Sequence, residues 1–241
     1  MYGWRGKVGH ISPSRGDIFV HEFYQMAPKG VLLFNTTGTI RQLDRDNIER
    51  QLTRIEEAAA DLAQEGVDLI MIGGTPLFTS QGSGSDIRIA SCIQEKVQTP
   101  VTAGVTGEIA ALKELGIQKL VVASPHEPHL DAVLKVFLES SGFQVIHTGG
   151  LGIKKNSDIS KVPEHASYRL AKKLFFEAPE KADGVFIPCP RWPTIGHIEL
   201  LEQELGCPVI TSSQAYSWWS LKLLHIRENI TGYGQLMRTL A

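Results

Sequence analysis

The feature that most constrains this chain is that it repeats itself. The stretch "EGVDLIMIGGTP" (65–76), then "TPVTAG" (99–104) and "LKELGI" (112–117), parallels "EKADGVFIPCPR" (180–191), then "CPVITS" (207–212) and "LKLLHI" (221–226). Aligning Asp68 with Asp183 gives an offset of 115 residues, Pro100 with Pro208 gives 108, and "KVGHIS" (7–12) with "KLVVAS" (119–124) gives about 112. Concordant offsets over that length indicate duplicated structural units.

Within each unit, short apolar runs alternate with amphipathic segments, the pattern of parallel βα units with helices on both sheet faces. Eight strands are expected, at 7–12, 30–35, 67–73, 100–104, 119–124, 143–148, 183–188 and 208–213. In "DRDNIERQLTRIEEAAADLAQEG", Ile48, Leu52, Ile55, Ala59 and Leu62 fall at helical spacing, with Asp44 or Asp46 as N-cap and Gly66 closing the end. "SDIRIASCIQEKV" puts Cys92 on a helix expected to pack against the sheet. The fold class is therefore α/β, with two pseudo-symmetric Rossmann-like halves, each a four-stranded parallel sheet. Residues 1–115 form the first half and 116–219 the second. The apolar tail 220–241 packs back onto the first half or onto a second copy of the chain.

The residues also set limits on function. Of 241 residues 42% are hydrophobic and 21% charged, with a net charge of -2. That balance predicts no steering of polyanions and no nucleic-acid partner. No apolar run reaches about 18 residues, so no membrane span is expected. Cys92, Cys189 and Cys207 lack CxxC spacing, and one must stay unpaired, which suits a reducing cytoplasm. Neither a phosphate-binding loop nor a G-x-G-x-x-G after a strand occurs, and neither cofactor nor metal is expected.

Duplicated halves place ligand between them, at the C-terminal ends of the strands. Gly74 and Cys189 then face one another. Gly73 and Gly74 let a ligand approach the backbone, and the following "TPLFTSQGSGSD" reads as a lid. Cys189, at a strand end before a helix, is a candidate working thiol, with a pKa lowered by the helix N-terminus. Arg191 can hold a carboxylate bidentately. Ser212 and Ser213 after the last strand, and Thr106 after "VTAG", are carboxylate candidates, whereas His10 reads as a core histidine.

In order and spacing, "GHISP", "GGTP", "PCP" and "TSSQA" resemble the aspartate/glutamate racemase superfamily, in its arylmalonate decarboxylase and maleate cis-trans isomerase branch. The resemblance covers nearly the whole chain. It implies a catalytic Cys189, substrate contacts at Gly74, Thr75, Pro13 and Ser14, and a small carboxylic-acid substrate. Two-thiol racemases and isomerases of this type carry a cysteine where this chain has Gly74. A decarboxylase-like reaction with one-face protonation is therefore expected. The chain departs from the branch at Pro76, where a serine is expected, at Pro190 after the cysteine, and at His126, where a tyrosine is expected. Three donors of the oxyanion hole are thereby lost. His126 paired with Cys189 keeps an isomerase or racemase open, and loss of the hole keeps a non-catalytic small-acid binding protein open. Ile11, Leu77, Phe78 and Trp192 are the expected apolar lining.

Overall fold

The computed structural model describes residues 2–12, 18–37 and 45–241, the stretch 45–49 by its backbone alone. Pro13 and Ser14 therefore lie outside the described residues, as does the Asp44 N-cap. The first half contains β1 (Gly6–Ser12), α1 (Ile18–Met26), β2 (Val31–Thr37), α2 (Arg45–Gln64), β3 (Leu69–Ile72), α3 (Thr75–Thr79), α4 (Ser85–Val97), β4 (Val101–Ala103) and α5 (Gly104–Glu114). The second contains β5 (Lys119–Ser124), α6 (Pro128–Ser140), β6 (Gln144–Gly150), α7 (Asn156–Ile159), α8 (His165–Glu177) and β7 (Gly184–Ile187). It continues through a 3-10 turn (Ile195–His197), α9 (Ile198–Leu205), β8 (Val209–Thr211) and α10 (Ser212–Leu223), and α11 (Gly234–Arg238) follows.

The strand orders are β2-β1-β3-β4 and β6-β5-β7-β8, all parallel, so one half maps onto the other strand by strand. The repeat is also visible in single hydrogen bonds. Asp68, entering β3, accepts from Lys7 N at 2.8 Å and returns its own N–H to Lys7 O at 2.9 Å. Asp183, entering β7, does the same with Lys119, at 2.9 Å in both directions. Pro100 O accepts from Ile70 N at 2.8 Å and Pro208 O from Val185 N at 3.0 Å. These are the residue pairs that the sequence offsets align.

The central strands explain the absence of alternation in the sequence. Every residue of β3 (LIMI) and β7 (GVFI) is buried, because helices cover both sheet faces. Ile55, Ala59 and Leu62 of α2 are buried as their spacing predicts. Cys92 is a correction: it sits on α4 as expected but faces solvent, while Ile89 and Ile93 take the inward face.

The halves share a core. Phe19, Phe23 and Met26 of α1 join one apolar cluster with Phe186, Trp192 and Tyr216 of the second half. The pivot is α10, which packs against α5 and α1. Tyr216, Trp218 and Leu221 on it are buried, and truncating one such aromatic to alanine costs about 3–5 kcal/mol. The tail then divides. A Cβ on Gly6 would meet Leu224, and Arg5 pairs with Glu228 at 2.7 Å, whereas α11 lies against α9. Among the described residues no helix is long and apolar enough to cross a membrane, and no group of three or more His, Cys, Asp or Glu is placed to hold a metal ion.

Candidate active site

Parallel strands deliver their C-terminal loops to one edge of the sheet. At the end of β3 the chain turns through Gly74 at φ 99° into α3; at the end of β7 it turns through Cys189 at φ 86°. Both backbones are left-handed, which is free for glycine and costs about 1–2 kcal/mol for a residue with a Cβ. Two other described non-glycine residues have positive φ, Gln98 and His225, and both end helices, where this conformation is common. Cys189 ends no helix. Its N–H donates to Ser212 Oγ at 2.8 Å, and its carbonyl accepts from Trp192 N at 3.1 Å.

The thiol is buried, and burial pushes it up to about 12, an effect that outweighs the nearby Arg191 and the backbone N–H groups of the turn. The helix-lowered thiol expected from sequence is thus overturned. The next helical turn starts only at Ile195, and Cys189 stays a neutral S–H through the physiological range.

Behind the thiol lies a group that the sequence reading missed. Glu108 of α5 is buried, and its two oxygens each lie 3.2 Å from Thr75 Oγ1. Ser212 Oγ donates to Glu108 Oε1. A polar chain therefore runs from Thr75 at the end of β3, through Glu108, to Ser212 and the backbone of Cys189 at the end of β7. Burial raises Glu108 to about 7, with the Ser212 and Thr75 hydroxyls pulling the other way. The buried Tyr216 hydroxyl is close to Thr75 and the Gly74 backbone but has no hydrogen-bond partner among the described residues. Its ring is the reason position 104 is glycine, since a Cβ there would collide with it.

A second buried acid reaches across the halves. Glu22 of α1 accepts from Thr194 N at 2.7 Å and Ile195 N at 3.2 Å, holding the end of the turn that carries Cys189. Burial raises it to about 7 as well, and the Ser213 hydroxyl lies beside it. Both acids were readable as acids on apolar helix faces. Glu108 is three residues from Val105 and from Ala111, and Glu22 is three from Phe19 and four from Met26.

Next to these strand ends is a cavity of about 500 Å³, lined by Thr75, Pro76, Pro188, His126, Lys154 and an apolar wall of Leu130, Val133 and Leu134 on α6. His126 is held by its backbone N–H, which donates to Ser124 Oγ at 3.0 Å, and burial lowers its ring to about 4, leaving it neutral at pH 7. Several expectations change here. Ile11, Leu77, Phe78 and Trp192 belong to the core and do not line the cavity; Gly74 and Cys189 are not among its lining residues either, although their neighbours Thr75 and Pro188 are. The glycine- and serine-rich stretch is folded down as α3 and the start of α4, with Ser85 Oγ on Phe78 O at 2.7 Å. Thr106 is occupied by Asp86 at 2.6 Å. Arg191 lies near the Cys189 thiol, Ser212 donates to Glu108 and the Ser213 hydroxyl lies beside Glu22, which leaves their expected part in substrate binding open. His10 is buried, its Nδ1 2.7 Å from Asn35 Oδ1, and its Nε2 has no partner among the described residues.

Two parallel sheets of equivalent topology, presenting glycine at one strand end and a thiol at the other, define a duplicated α/β class with its polar cluster between the halves. Residues 8–237 match the family described as arylmalonate decarboxylase, and the chain belongs to that family. It is 24% identical over 216 residues to arylmalonate decarboxylase of Bordetella bronchiseptica, covering 90% of this chain and 89% of that one. It is 22% identical over 189 residues to maleate isomerase of Nocardia farcinica, covering 76% and 74%. Among solved structures, the Nocardia farcinica maleate cis-trans isomerase superposes with a TM-score of 0.88 at 18% identity, covering 97% and 98% of the two chains. Unliganded arylmalonate decarboxylase superposes at 0.85 and 21% identity, covering 96% and 98%. The chain is an enzyme of the lyase or isomerase type.

Proposed function

We propose that this chain decarboxylates a malonate-type acid and delivers one proton, from Cys189, to one face of the product. The observation that carries this reading is the single protonated thiol at the end of β7, with glycine at the matching end of β3. Breaking the bond to the departing carboxylate leaves its electron pair on the α-carbon, delocalised into the remaining carboxylate as an enediolate, and releases CO2. The Cys189 S–H protonates that carbon, and the thiolate recovers its proton from solvent. A donor near 12 suits a strongly basic carbanion and is quickly restored at neutral pH. Thr75 and strand-end N–H groups hold the remaining carboxylate, although Pro76 and Pro190 contribute no N–H. Leu130, Val133 and Leu134 accept the apolar substituent.

A neighbouring structure, the Nocardia farcinica isomerase, is described with a covalently bound succinylcysteine intermediate. Such a nucleophile must ionise, and Cys189 resists ionisation. A second reading, isomerisation or racemisation by Cys189 with His126, is favoured by the neutral His126 ring lining the same cavity as Thr75 and Pro188. Incubation with arylmalonates, maleate and amino acids in D2O separates the two. Decarboxylation gives CO2 and one deuterium on one face; fumarate from maleate, or α-exchange of amino acids without CO2, overturns the proposal.

A further inference from the structure

We propose that Glu108 is a positioning residue that sets the hydrogen-bond polarity of the site: neutral, it frees the Thr75 hydroxyl to donate to the substrate carboxylate, and ionised, it withholds that donor. The proposal rests on the decarboxylase reading for the identity of the substrate.

The two states of Glu108 differ in their count of donors. A carboxylate only accepts, whereas a carboxylic acid also donates one O–H. Ser212 Oγ already accepts from Cys189 N at 2.8 Å, so its proton points to Glu108. Thr75 Oγ1 sits 3.2 Å from both Glu108 oxygens, and with Glu108 ionised its one proton is engaged there. With Glu108 neutral, the acid proton goes to Thr75 Oγ1, and the Thr75 proton turns outward. Of Thr75, Glu108, Ser212 and the neighbouring Tyr216, Thr75 is the one that lines the cavity, so its freed proton, which Tyr216 also borders, is available to the substrate.

The surroundings leave this equilibrium to Glu108. It is faced by Thr75 from α3, by Ser212 and Tyr216 from α10, and by the Cys189 thiol from the turn after β7. Asp86 of α4 is bound by Thr106. The Tyr216 hydroxyl and the thiol are both pushed up and stay neutral; Arg191 is the cation acting on that thiol. Burial holds Glu108 itself near 7, so both of its forms are populated around neutrality.

The test measures kcat/KM for phenylmalonate and the affinity for unreactive phenylacetate, by calorimetry, between pH 5.5 and 9. In the wild type both fall by roughly 10- to 100-fold as pH rises through about 7, the worth of one hydrogen bond to a charged group. Glu108→Gln fixes an N–H donor toward Thr75 and a carbonyl toward Ser212, so its profile is flat and exceeds the wild type at pH 9. Thr75→Val stays at the high-pH level throughout. Loss of activity and affinity at every pH in a Glu108→Gln chain that melts like the wild type overturns the proposal, as does a retained pH limb in that variant. A limb abolished by Glu22→Gln and not by Glu108→Gln assigns it to the other buried acid and overturns it equally. A wild type that turns over no arylmalonate overturns the reaction proposed above, while the phenylacetate titration still decides the role of Glu108; affinity independent of pH decides against it.

Discussion

The ends of β3 and β7 are the same place in two copies of one structure, and at the matching left-handed residue one has no side chain and the other a thiol. Both strands are entered through an aspartate clipped to the neighbouring strand, and both leave through a left-handed residue. At Gly74 that conformation is relaxed; at Cys189 it is strained and held by Ser212. A strained backbone persists only where its surroundings over-determine it. The comparison teaches that the duplication supplies two equivalent mounting points and that this chain equips one of them, leaving the other open beside Thr75.

Removing the thiol breaks the comparison most severely. Cys189→Ser lowers the rate of arylmalonate decarboxylation by roughly 10²- to 10⁴-fold, the range for loss of a positioned proton donor, and full turnover in that variant would sink the assignment. Transferring the thiol sharpens the comparison: Gly74→Cys in the Cys189→Ser background protonates from the opposite face, and chiral chromatography of the product then shows the inverted hand. An unchanged hand means the two strand ends do not face one α-carbon. Ser212→Ala leaves the buried Cys189 N–H unpaired and lowers stability by about 1–3 kcal/mol. In a chain of this size that is a Tm decrease of at least about 2 °C, readable by calorimetry. The smallest effect isolates the backbone. Cys189→Gly is more stable than Cys189→Ala by about 1 kcal/mol, because only the alanine keeps a Cβ at positive φ; equal stabilities would show that the turn relaxes in both.

The eight strands, their division into two sheets and the two strand ends were legible because they rest on local signals. Continuous apolar runs mark β3 and β7, and Asp68 and Asp183 occupy matching positions before them. What was not legible depends on burial and on contacts between distant segments. Glu108 and Glu22 sit on apolar helix faces, but nothing local says that each meets hydroxyl or N–H partners about a hundred residues or more away. The rise of the Cys189 pKa has the same origin: the sequence shows a thiol before a helix, and the surrounding core that keeps it neutral is assembled by α1, α5 and α10. Trp192 and Phe78 read as cavity lining because an aromatic beside a site suits either wall or core, and only packing decides between them.

The placement of α10 has a consequence for synthesis. This helix belongs in sequence to the second half, yet it covers α5 and α1 of the first and brings Ser212 to Glu108. A nascent chain that has completed its first sheet still exposes the apolar surface α10 will cover, and Glu108 still lacks its serine. Domains generally fold as they emerge, and exposed apolar surface is what chaperones bind. The first half thus stays uncovered until residues 212–223 reach it, and the polar cluster closes only when both halves are present to share it.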